Sequence, residues 1–493
     1  MKKLLSELNP FKASGPDGVE SRFLKETADE LAPAIAHVFQ ASLQQSTIPN
    51  AWRHALISPI YKPGKSDKSC AENYRPISLT SVTCKILEHI VTSNLMKHLD
   101  DNNILSNIQH GFRKRRSCET QLTLTINDFA KCLNNGKQID SILLDFSKAF
   151  DKVDHKKLCY KLNHYGVRGN NLLWIQNFLH QRTQSVVLNG KTSSKCDVKS
   201  GVPQGTVLGP ALFLVYINDL PENISSTIRL FADDTYMYRV IESKDDTIKL
   251  QNDLNTLIKW EKEWAMEFHP TKCKVLRITN KLNIITNDYH MHGYNLKLVD
   301  NAKYLGVTIN KKLSWKPHVN NIVKKANQTR AFLQRNLRSC TSDVKSQCYH
   351  TYVRPIIEYA SVVWDPIGDG NKHLRQRLEM VQRKAARFVC SDWRRTSSPT
   401  KMIKSLQWVT LENRRLQNRL KFLYKYQAGL IILEDNFLKY SRINARFQPV
   451  HARVLVYQNS FIPATINVWN QLPLNVAAMP LNLFTTELVK ICV

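Results

Sequence analysis

The sequence predicts an α+β fold followed by a basic, mainly helical C-terminal region. Short apolar runs and hairpin signals recur between residues 57 and 309, which is typical of strands in an antiparallel sheet. Beyond residue 310 the pattern becomes helical and rich in Lys and Arg. At 493 residues the chain exceeds what one compact core usually holds, so we expect several subdomains.

Local patterns place the individual elements. Ile139 to Phe146 is an apolar run that indicates a buried strand, and it delivers Asp145 at its end. Asn189-Gly190 lies between two short strand patterns and is a strong hairpin signal. A second hairpin is predicted at 228–238, with Asp233 and Asp234 at its turn. The other predicted elements are helices at 21–45, 211–217 and 246–264 and strands at 57–61 and 304–309.

Charge and composition narrow the class of protein. The formal net charge is +29, which favours a polyanionic partner such as nucleic acid. The start of the chain does not resemble a signal peptide, and the longest apolar run near the middle is too short to span a bilayer. The eleven cysteines include no CxxC pair, which indicates reduced thiols in an intracellular protein.

The positive charge is concentrated late in the chain. Residues 371–425 contain fifteen Lys or Arg and three acidic residues, so they carry +12 of the total. Aromatic residues are interleaved with this charge, a pattern that favours a nucleic-acid surface over solvated helix faces. We therefore expect Arg414, Arg415 and Arg419 to contact phosphates. The affinity of this region for nucleic acid should fall steeply as the salt concentration rises.

Two segments offer carboxylates suited to phosphoryl chemistry. LLDFSKAFDKVDH (143–155) places Asp145 after a buried strand, and LFADDTYMY (230–238) places Asp233 and Asp234 in an apolar strand-turn-strand. Polymerases need clustered aspartates of this kind, because two divalent ions about 3.5–4 Å apart stabilise the attacking and leaving oxygens. An Asp-Asp pair alone also fits a solvated polar turn, so this interpretation depends on the surrounding segments.

Between those segments lies SGVPQGTVLGPALF (200–213). Its glycines and prolines predict a rigid turn whose backbone approaches another group closely. Gln204 is one of few polar side chains in this apolar stretch, and we expect it to hydrogen-bond a nucleotide or template strand.

Together these segments resemble the reverse transcriptases of non-LTR (LINE-type) retrotransposons, most closely the jockey-like mobile elements. The ordered combination covers nearly the whole chain and is more specific than any one segment. The further segments that carry the resemblance are NPFKASGPDGV (9–19), WRHALISPIYKPG (52–64), ENYRPISL (72–79), QHGFRKRRSCETQL (109–122), MEFHPTKC (266–273), YLGVTI (304–309), YVRPIIEYASVVWDP (352–366) and NSFIPATINVWNQLP (459–473).

The resemblance implies roles for the carboxylates. Asp145, Asp233 and Asp234 would be the ligands of two Mg²⁺ ions, or Mn²⁺ in their place. Lys272 would act as a general acid beside the leaving pyrophosphate. The implied reaction copies an RNA template onto a DNA primer or target DNA from deoxynucleoside triphosphates. A nuclear location follows from the family's way of life alone.

The resemblance also implies substrate contacts. Phe150 would exclude a ribose 2′-hydroxyl, although the residue is equally compatible with core packing. Lys62 and Arg75 would clamp the triphosphate, and Gln204 and Gly205 would lie against the incoming nucleotide.

Tyr304, Leu305 and Gly306 would form the primer grip. The implied fold is a right-hand polymerase with fingers, a palm built on an antiparallel sheet, and a helical thumb. Its expected regions are fingers and N-terminal extension at 1–138, palm with part of the fingers at 139–309, a thumb-like helical region at 310–400 and a basic C-terminal region at 401–493.

Departures from the family pattern are few. His269 stands where Asn is common, and Thr206 stands where Ser is frequent. Members usually carry an endonuclease before the polymerase, so the chain is expected to be a truncated copy or a partial gene product. Two alternatives stay open: another right-hand polymerase, such as an RNA-dependent RNA polymerase or an intron maturase, and a domesticated element that binds nucleic acid without catalysis.

Overall fold

A computed structural model describes residues 1–62, 64, 66–433, 438–441 and 446–491. The chain folds into two compact units, each assembled from separated stretches of sequence. Unit 1 comprises Met1–Phe112, Asp145–Ile224 and Leu254–His269, and unit 2 comprises Arg113–Leu144, Ser225–Asp253 and Pro270–Val493. The four consecutive regions expected from the sequence stay a prediction.

Helices make up about half of the described chain. They are α1 (Lys2–Ser6), α2 (Ser21–Glu26), α3 (Ala28–Gln44), α4 (Val82–Asp101), α5 (Cys118–Asn134), α6 (His155–His164), α7 (Gly169–Leu179), α8 (Leu208–Ile217), α9 (Lys244–Glu263), α10 (Lys316–Asn336), α11 (Ser342–Cys348), α12 (Arg354–Glu358), α13 (Ser361–Trp364), α14 (Lys372–Cys390), α15 (Pro399–Ser405), α16 (Leu411–Gln427), α17 (Leu455–Gln458), α18 (Phe461–Trp469), α19 (Leu474–Ala477) and α20 (Leu481–Ile491).

Within the described residues, the strands all precede residue 311. They are β1 (His54–Tyr61), β2 (Tyr74–Leu79), β3 (Gln138–Leu144), β4 (Arg182–Leu188), β5 (Lys191–Thr192), β6 (Cys196–Val198), β7 (Thr227–Phe231), β8 (Asp234–Ile241), β9 (Lys274–Ile278), β10 (His290–Met291), β11 (Tyr294–Asn295), β12 (Lys297–Leu298), β13 (Asn301–Tyr304) and β14 (Val307–Asn310). This distribution confirms the predicted α+β region followed by a helical one.

Unit 1 contains one five-stranded sheet and its helices. The strand order is β2-β1-β4-β5, and β6 pairs with the other part of β4. The hairpin predicted at Asn189-Gly190 is confirmed: Leu188 pairs with Lys191, and the two turn residues have φ of 51° and 77°. Positive φ at both turn positions matches the right-handed twist of a two-residue hairpin. Helix α8 is apolar and buried on nearly all sides, as expected for a core helix.

Unit 2 is built on a second five-stranded sheet, in the order β12-β9-β3-β8-β7. Strand β3 lies in the centre and pairs antiparallel with β8 and β9. This position buries nearly all of its residues, including the polar Gln138, Asp140 and Ser141. The last pair of the β3–β8 ladder joins Leu144 to Thr235. Helix α5 covers the sheet, with Phe129 packed edge-on against Tyr236 and Tyr238.

One sequence prediction in unit 2 is wrong. Residues 304–309 do not form one strand, because the chain reverses at Leu305 and Gly306 and pairs β13 with β14. Both turn residues have positive φ, 43° and 85°, which a continuous strand cannot accommodate. Leucine rarely adopts this conformation, so a turn at this position is not predicted by residue type.

Two further properties of the described residues concern membrane spans and thiols. No helix among the described residues combines the length and apolar composition that crossing a bilayer requires. The ten cysteines in the described part of the chain are all free thiols.

A buried histidine makes the stability of unit 2 depend on pH. His318 is almost fully buried against Trp364, and its Nδ1 accepts a hydrogen bond from the Thr308 backbone N–H at 3.2 Å. Burial, assisted by Lys303, lowers the pKa of His318 to about 4. The unfolded chain therefore binds more protons between pH 4 and pH 6.5, so stability falls as the pH drops through this window.

We expect His318 to account for about 3 kcal/mol of the loss in the free energy of unfolding across that window. His318→Gln, which keeps an acceptor for Thr308, should remove this component. Denaturant titrations at several pH values measure it, and an unchanged pH slope in the variant would contradict the assignment.

Candidate active site

The backbone around Asp145 is fixed by a short ladder within unit 1. The Asp145 carbonyl accepts a hydrogen bond from the His269 N–H at 2.8 Å, and the Ser147 N–H donates to the Glu267 carbonyl at 2.7 Å. Between them the Phe146 ring stacks on Phe268, with ring centroids 4.1 Å apart. Phe146 is buried and Asp145 is exposed, as the alternation of an extended strand requires. The ladder thus holds the Asp145 carboxylate on the outer side of unit 1.

Asp233 and Asp234 lie at the tight turn between β7 and β8 in unit 2. Phe231 pairs with Asp234, so only Ala232 and Asp233 make the turn. Ala232 has φ of 52°, a left-handed conformation that is strained for a residue with a side chain and that often marks functional sites. Asp234 is exposed and Asp233 is half-buried. The turn therefore presents two carboxylates where the sequence predicted them.

The β3–β8 ladder of unit 2 ends close in sequence to Asp145 and Asp234. Leu144 and Thr235 are the last pair of the ladder. Asp145 directly follows Leu144 in sequence, and Asp234 directly precedes Thr235. The ladder therefore fixes the backbone next to Asp234 within unit 2.

The loop at 200–207 in unit 1 approaches other backbone closely, as its glycines predicted. The Ser78 N–H of β2 donates to the Gln204 carbonyl at 2.7 Å. A Cβ at Gly205, which has φ of 108°, would lie 2.8 Å from the Ser78 carbonyl oxygen. A Cβ at Gly201 would lie equally close to the backbone of Asp151. Both positions therefore require glycine.

Glu88 anchors the far end of this loop, and sequence reasoning missed it. This side chain of α4 is fully buried, and its Oε2 accepts hydrogen bonds from the Val207 and Leu208 N–H groups at 2.7 and 3.0 Å. These groups open α8, where a carboxylate also complements the helix dipole. Burial raises the pKa of Glu88, while the two N–H groups and nearby Arg182 act in the opposite direction. A lone Glu in a helical pattern gives no sequence signal for this role.

The Gln204 side chain has a partner within unit 1. Its Nε2 donates to Asp151 Oδ1 at 3.1 Å. Burial raises the pKa of the Asp151 carboxyl, and the Gln204 contact opposes that shift. Asp151 lies next to Phe150 in the chain, so this bond ties the loop to the segment that carries the predicted sugar-selecting ring. Sequence reasoning did not single out Asp151.

Phe150 is held by aromatic contacts. Its ring stacks on Phe213 of α8 with centroids 4.4 Å apart and an angle of 12°, and Phe112 meets its edge at 6.3 Å. Phe150 remains half-buried, whereas Phe213 is fully buried. The ring is therefore fixed on one side and keeps part of its surface accessible.

The predicted cations occupy surface positions in their respective units. In unit 1, Lys62 follows β1, and its Nζ donates to the Glu72 carbonyl at 2.8 Å. Arg75 is exposed on β2, where it pairs in register with Ile60. In unit 2, Lys272 is exposed just before β9. Arg75 and Lys272 are exposed and Lys62 is half-buried, and the proposed phosphate contacts stay predictions.

The predicted primer grip is the β13–β14 turn of unit 2. The Tyr359 hydroxyl donates to the Leu305 carbonyl at 3.0 Å, and the same ring leaves no room for a Cβ at Gly306. Tyr304 is buried, with its hydroxyl accepting from Gln121 Nε2 at 3.3 Å and its ring packed on Tyr236. Burial raises the pKa of Tyr304, and the Asp234 carboxylate adds to that shift. The turn is thus held rigidly within the unit that carries Asp234.

The three arginines predicted to contact phosphates are not all exposed. Arg415 is fully buried, with its Nε 2.8 Å from Asp365 Oδ1, and Arg419 is buried 3.2 Å from Asp365 Oδ2. Arg414 is half-buried and paired with both carboxylate oxygens of Glu358. Arg415 and Arg419 therefore cannot present their charge to a phosphate, and that part of the prediction is wrong. A count of charges does not distinguish the inner from the outer side of a helix.

Metal ligation is implied by the aspartates rather than visible as a preformed cluster. Among the described residues no group of three or more His, Cys, Asp or Glu side chains is assembled in a metal-binding arrangement. The exposed carboxylates of Asp145 and Asp234 are hard oxygen donors, which suit Mg²⁺. Mg²⁺ sites commonly combine one or two carboxylates with substrate phosphates and water, so the donor types present fit this ion.

Comparison with known proteins defines the class. The family described as reverse transcriptase (RNA-dependent DNA polymerase) matches residues 60–309, which contain both carboxylate segments and the glycine-rich loop. The chain therefore belongs to the reverse transcriptase family.

Particular relatives come from non-LTR retrotransposons of Drosophila melanogaster. The chain is 28% identical over 405 residues to the RNA-directed DNA polymerase from mobile element jockey, covering 79% of this chain and 43% of the relative. It is 28% identical over 401 residues to the probable RNA-directed DNA polymerase from transposon BS, with coverage of 77% and 43%. For the transposon X-element protein the identity is 27% over 395 residues, with coverage of 77% and 42%. The predicted resemblance is confirmed, and the chain spans less than half the length of these relatives.

Alanine substitutions test the glycine-rich loop. Gly205→Ala places a methyl group against Ser78 and imposes an unfavourable φ, whereas Gly190→Ala imposes a similar φ in open space. We expect Gly190→Ala to cost about 1–2 kcal/mol of unfolding free energy and Gly205→Ala a further ~1–3 kcal/mol from the collision. Denaturant unfolding of both variants measures the difference, and equal losses would show that the close approach to Ser78 is unimportant.

Proposed function

We propose that this chain is an RNA-directed DNA polymerase of a non-LTR retrotransposon, copying an RNA template onto the 3′-hydroxyl of a DNA primer or target DNA. The observation that carries the proposal is the family match over a segment that presents Asp145 and the 233–234 turn at strand ends. Deoxynucleoside triphosphates are the substrates. The family's way of life favours action in the nucleus.

The three aspartates are proposed as the holders of two Mg²⁺ ions, or of Mn²⁺. When bound, the ions neutralise charge on the attacking and leaving oxygens of the phosphoryl transfer. The protein contributes carboxylates on backbone that is already fixed. The ladder to His269 holds the Asp145 backbone, and the pairing of Phe231 with Asp234 defines the turn.

The incoming nucleotide is proposed to lie against the loop at Gln204 and Gly205 and the ring of Phe150. Both are positioned within unit 1, since Gln204 bonds Asp151 and Phe150 stacks on Phe213. Lys62 and Arg75 would neutralise the triphosphate, and Lys272 would protonate the leaving pyrophosphate. The turn at Tyr304 to Gly306 would support the primer strand.

Removing one carboxylate charge tests the metal assignment. Asp145→Asn should lower addition of deoxynucleotides and ribonucleotides alike by at least about 100-fold, because the metal sites serve both substrates. The Asp145 side chain is exposed, so thermal unfolding should hardly change. Single-nucleotide primer extension on an RNA template gives the rates, with Asp197→Asn on exposed β6 as the matched control. Full activity in Asp145→Asn would remove Asp145 from the site.

Opening the space beside the sugar tests Phe150. Phe150→Val should raise ribonucleotide incorporation relative to deoxynucleotide incorporation, because the steric clash with a 2′-hydroxyl is lost. Phe150→Tyr keeps the ring and should retain the discrimination. The ratio of kcat/KM for the two sugars is the measurement. An equal loss of both activities in Phe150→Val would identify Phe150 as a packing residue.

A further inference from the structure

The aromatic residues interleaved with the late basic region differ sharply in exposure. Phe388 and Phe422 belong to the core of unit 2, and Trp408 stacks on Tyr349. Trp393 alone among the nine tryptophans, all of them described, is exposed, at 50% of its surface. It lies in the loop that joins α14 to α15. Trp combines a large apolar ring with a polar N–H and is enriched at binding interfaces for that reason.

Arg387 of α14 hydrogen-bonds the backbone of the loop around Trp393. The Arg387 guanidinium donates to the carbonyls of Asp392 at 3.3 Å, Arg394 at 3.0 Å and Ser397 at 2.8 Å. These bonds fix the backbone on both sides of Trp393. A ring carried on fixed backbone loses less conformational freedom when a ligand covers it.

Two further contacts hold the ends of the loop. The buried Lys345 donates through Nζ to Ser391 Oγ at 2.8 Å. Asp392 accepts from Ser397 Oγ at 2.6 Å and from Arg394 through both carboxylate oxygens. These bonds lower the pKa of Asp392, so its carboxylate stays charged. The loop's one acidic group is therefore occupied by partners inside the loop.

The loop that carries Trp393 and the helix that follows it expose basic side chains. Arg394 and Arg395 follow it directly and are exposed, and two exposed lysines lie on α15. Helix α15 packs on α14 through Met402, Ile403 and Ala386, which leaves Lys401 and Lys404 on its outer side. The loop thus presents one aromatic ring among cations, with Cys390 to Arg394 lining an open concavity.

We propose that Trp393 is a stacking platform for an unpaired base of single-stranded nucleic acid, with Arg395, Lys401 and Lys404 contacting the flanking phosphates. The inference extends the proposed function, because it names a second contact for the same class of ligand. A base has an apolar face that covers an indole, and its phosphates complement the surrounding charge. A protein partner or an anionic membrane would cover the ring without requiring a base.

Equilibrium binding of a fluorescent oligo(rU) of roughly 12 nucleotides tests the platform. The full chain is used without divalent ions or nucleotides, so the result does not depend on catalysis. Trp393→Ala and Trp393→Leu should weaken binding by roughly 5- to 100-fold, and Trp393→Phe should recover most of the affinity. An oligomer of the same length with abasic sugars should bind wild type and Trp393→Ala equally.

Three outcomes would overturn the platform: equal oligo(rU) affinity in wild type and Trp393→Ala, an equal loss on the abasic oligomer, and Trp393-dependent binding to phosphatidylserine vesicles with none to oligo(rU). The second outcome would give the loop a structural or electrostatic role, and the third would identify a membrane contact. A chain that binds oligo(rU) through Trp393 but extends no primer would uphold the platform and contradict the polymerase. If a Trp393→Ala chain extends primers normally and binds RNA with unchanged affinity, the polymerase is upheld and the platform is contradicted.

Discussion

The register between β3 and β8 is the constraint on which the account of this protein depends. Successive side chains of a strand face opposite sides, so a slip of one residue would exchange the faces of a whole strand. The pairing of Leu144 with Thr235 ends the β3–β8 ladder, and Asp234 begins β8 through its pairing with Phe231 of β7. Those ends are where the chain places Asp145 and Asp234. The apolar core of unit 2 that surrounds the two strands, with Ile139 and Tyr236 among its members, holds this register.

Several charged side chains of this strongly basic protein are buried and paired with groups in its interior. Glu88 accepts hydrogen bonds from two N–H groups at the start of α8, and Arg415 forms an ion pair with Asp365. Lys161 is buried beneath Trp264 and bonded to Asp219, and burial lowers its pKa to about 8. Loss of one partner from such a pair typically costs about 3–5 kcal/mol, because an uncompensated charge remains in the interior. Part of the basic composition therefore reflects internal structure rather than contact with nucleic acid.

Much of the fold could be predicted from the sequence because local patterns carried it. The apolar run at β3, the Asn-Gly turn and the hairpin around Asp233 and Asp234 all correspond to elements in the structure. The turn at Leu305 could not be predicted, because leucine at φ of 43° is stabilised by the tertiary contact from Tyr359.

The residues of the candidate site and their supports show the same division. The close backbone approach at the 200–207 loop could be predicted, because glycine is the residue type that permits it. Glu88, Asp151 and the burial of Arg415 were not, since each depends on a partner more than fifty residues away or on helix orientation. The sequence shows that basic residues are concentrated at 371–425, whereas only the structure shows which of their side chains are exposed.

The most direct test of the account is templated synthesis by the purified wild-type chain. A DNA primer is annealed to RNA, and the four deoxynucleotides are supplied one at a time with Mg²⁺. If the chain is an RNA-directed DNA polymerase, only the deoxynucleotide complementary to the template base extends the primer, and chelation of the metal stops the reaction. A folded chain that binds the primed RNA but adds no complementary nucleotide, or adds all four equally, would contradict the account.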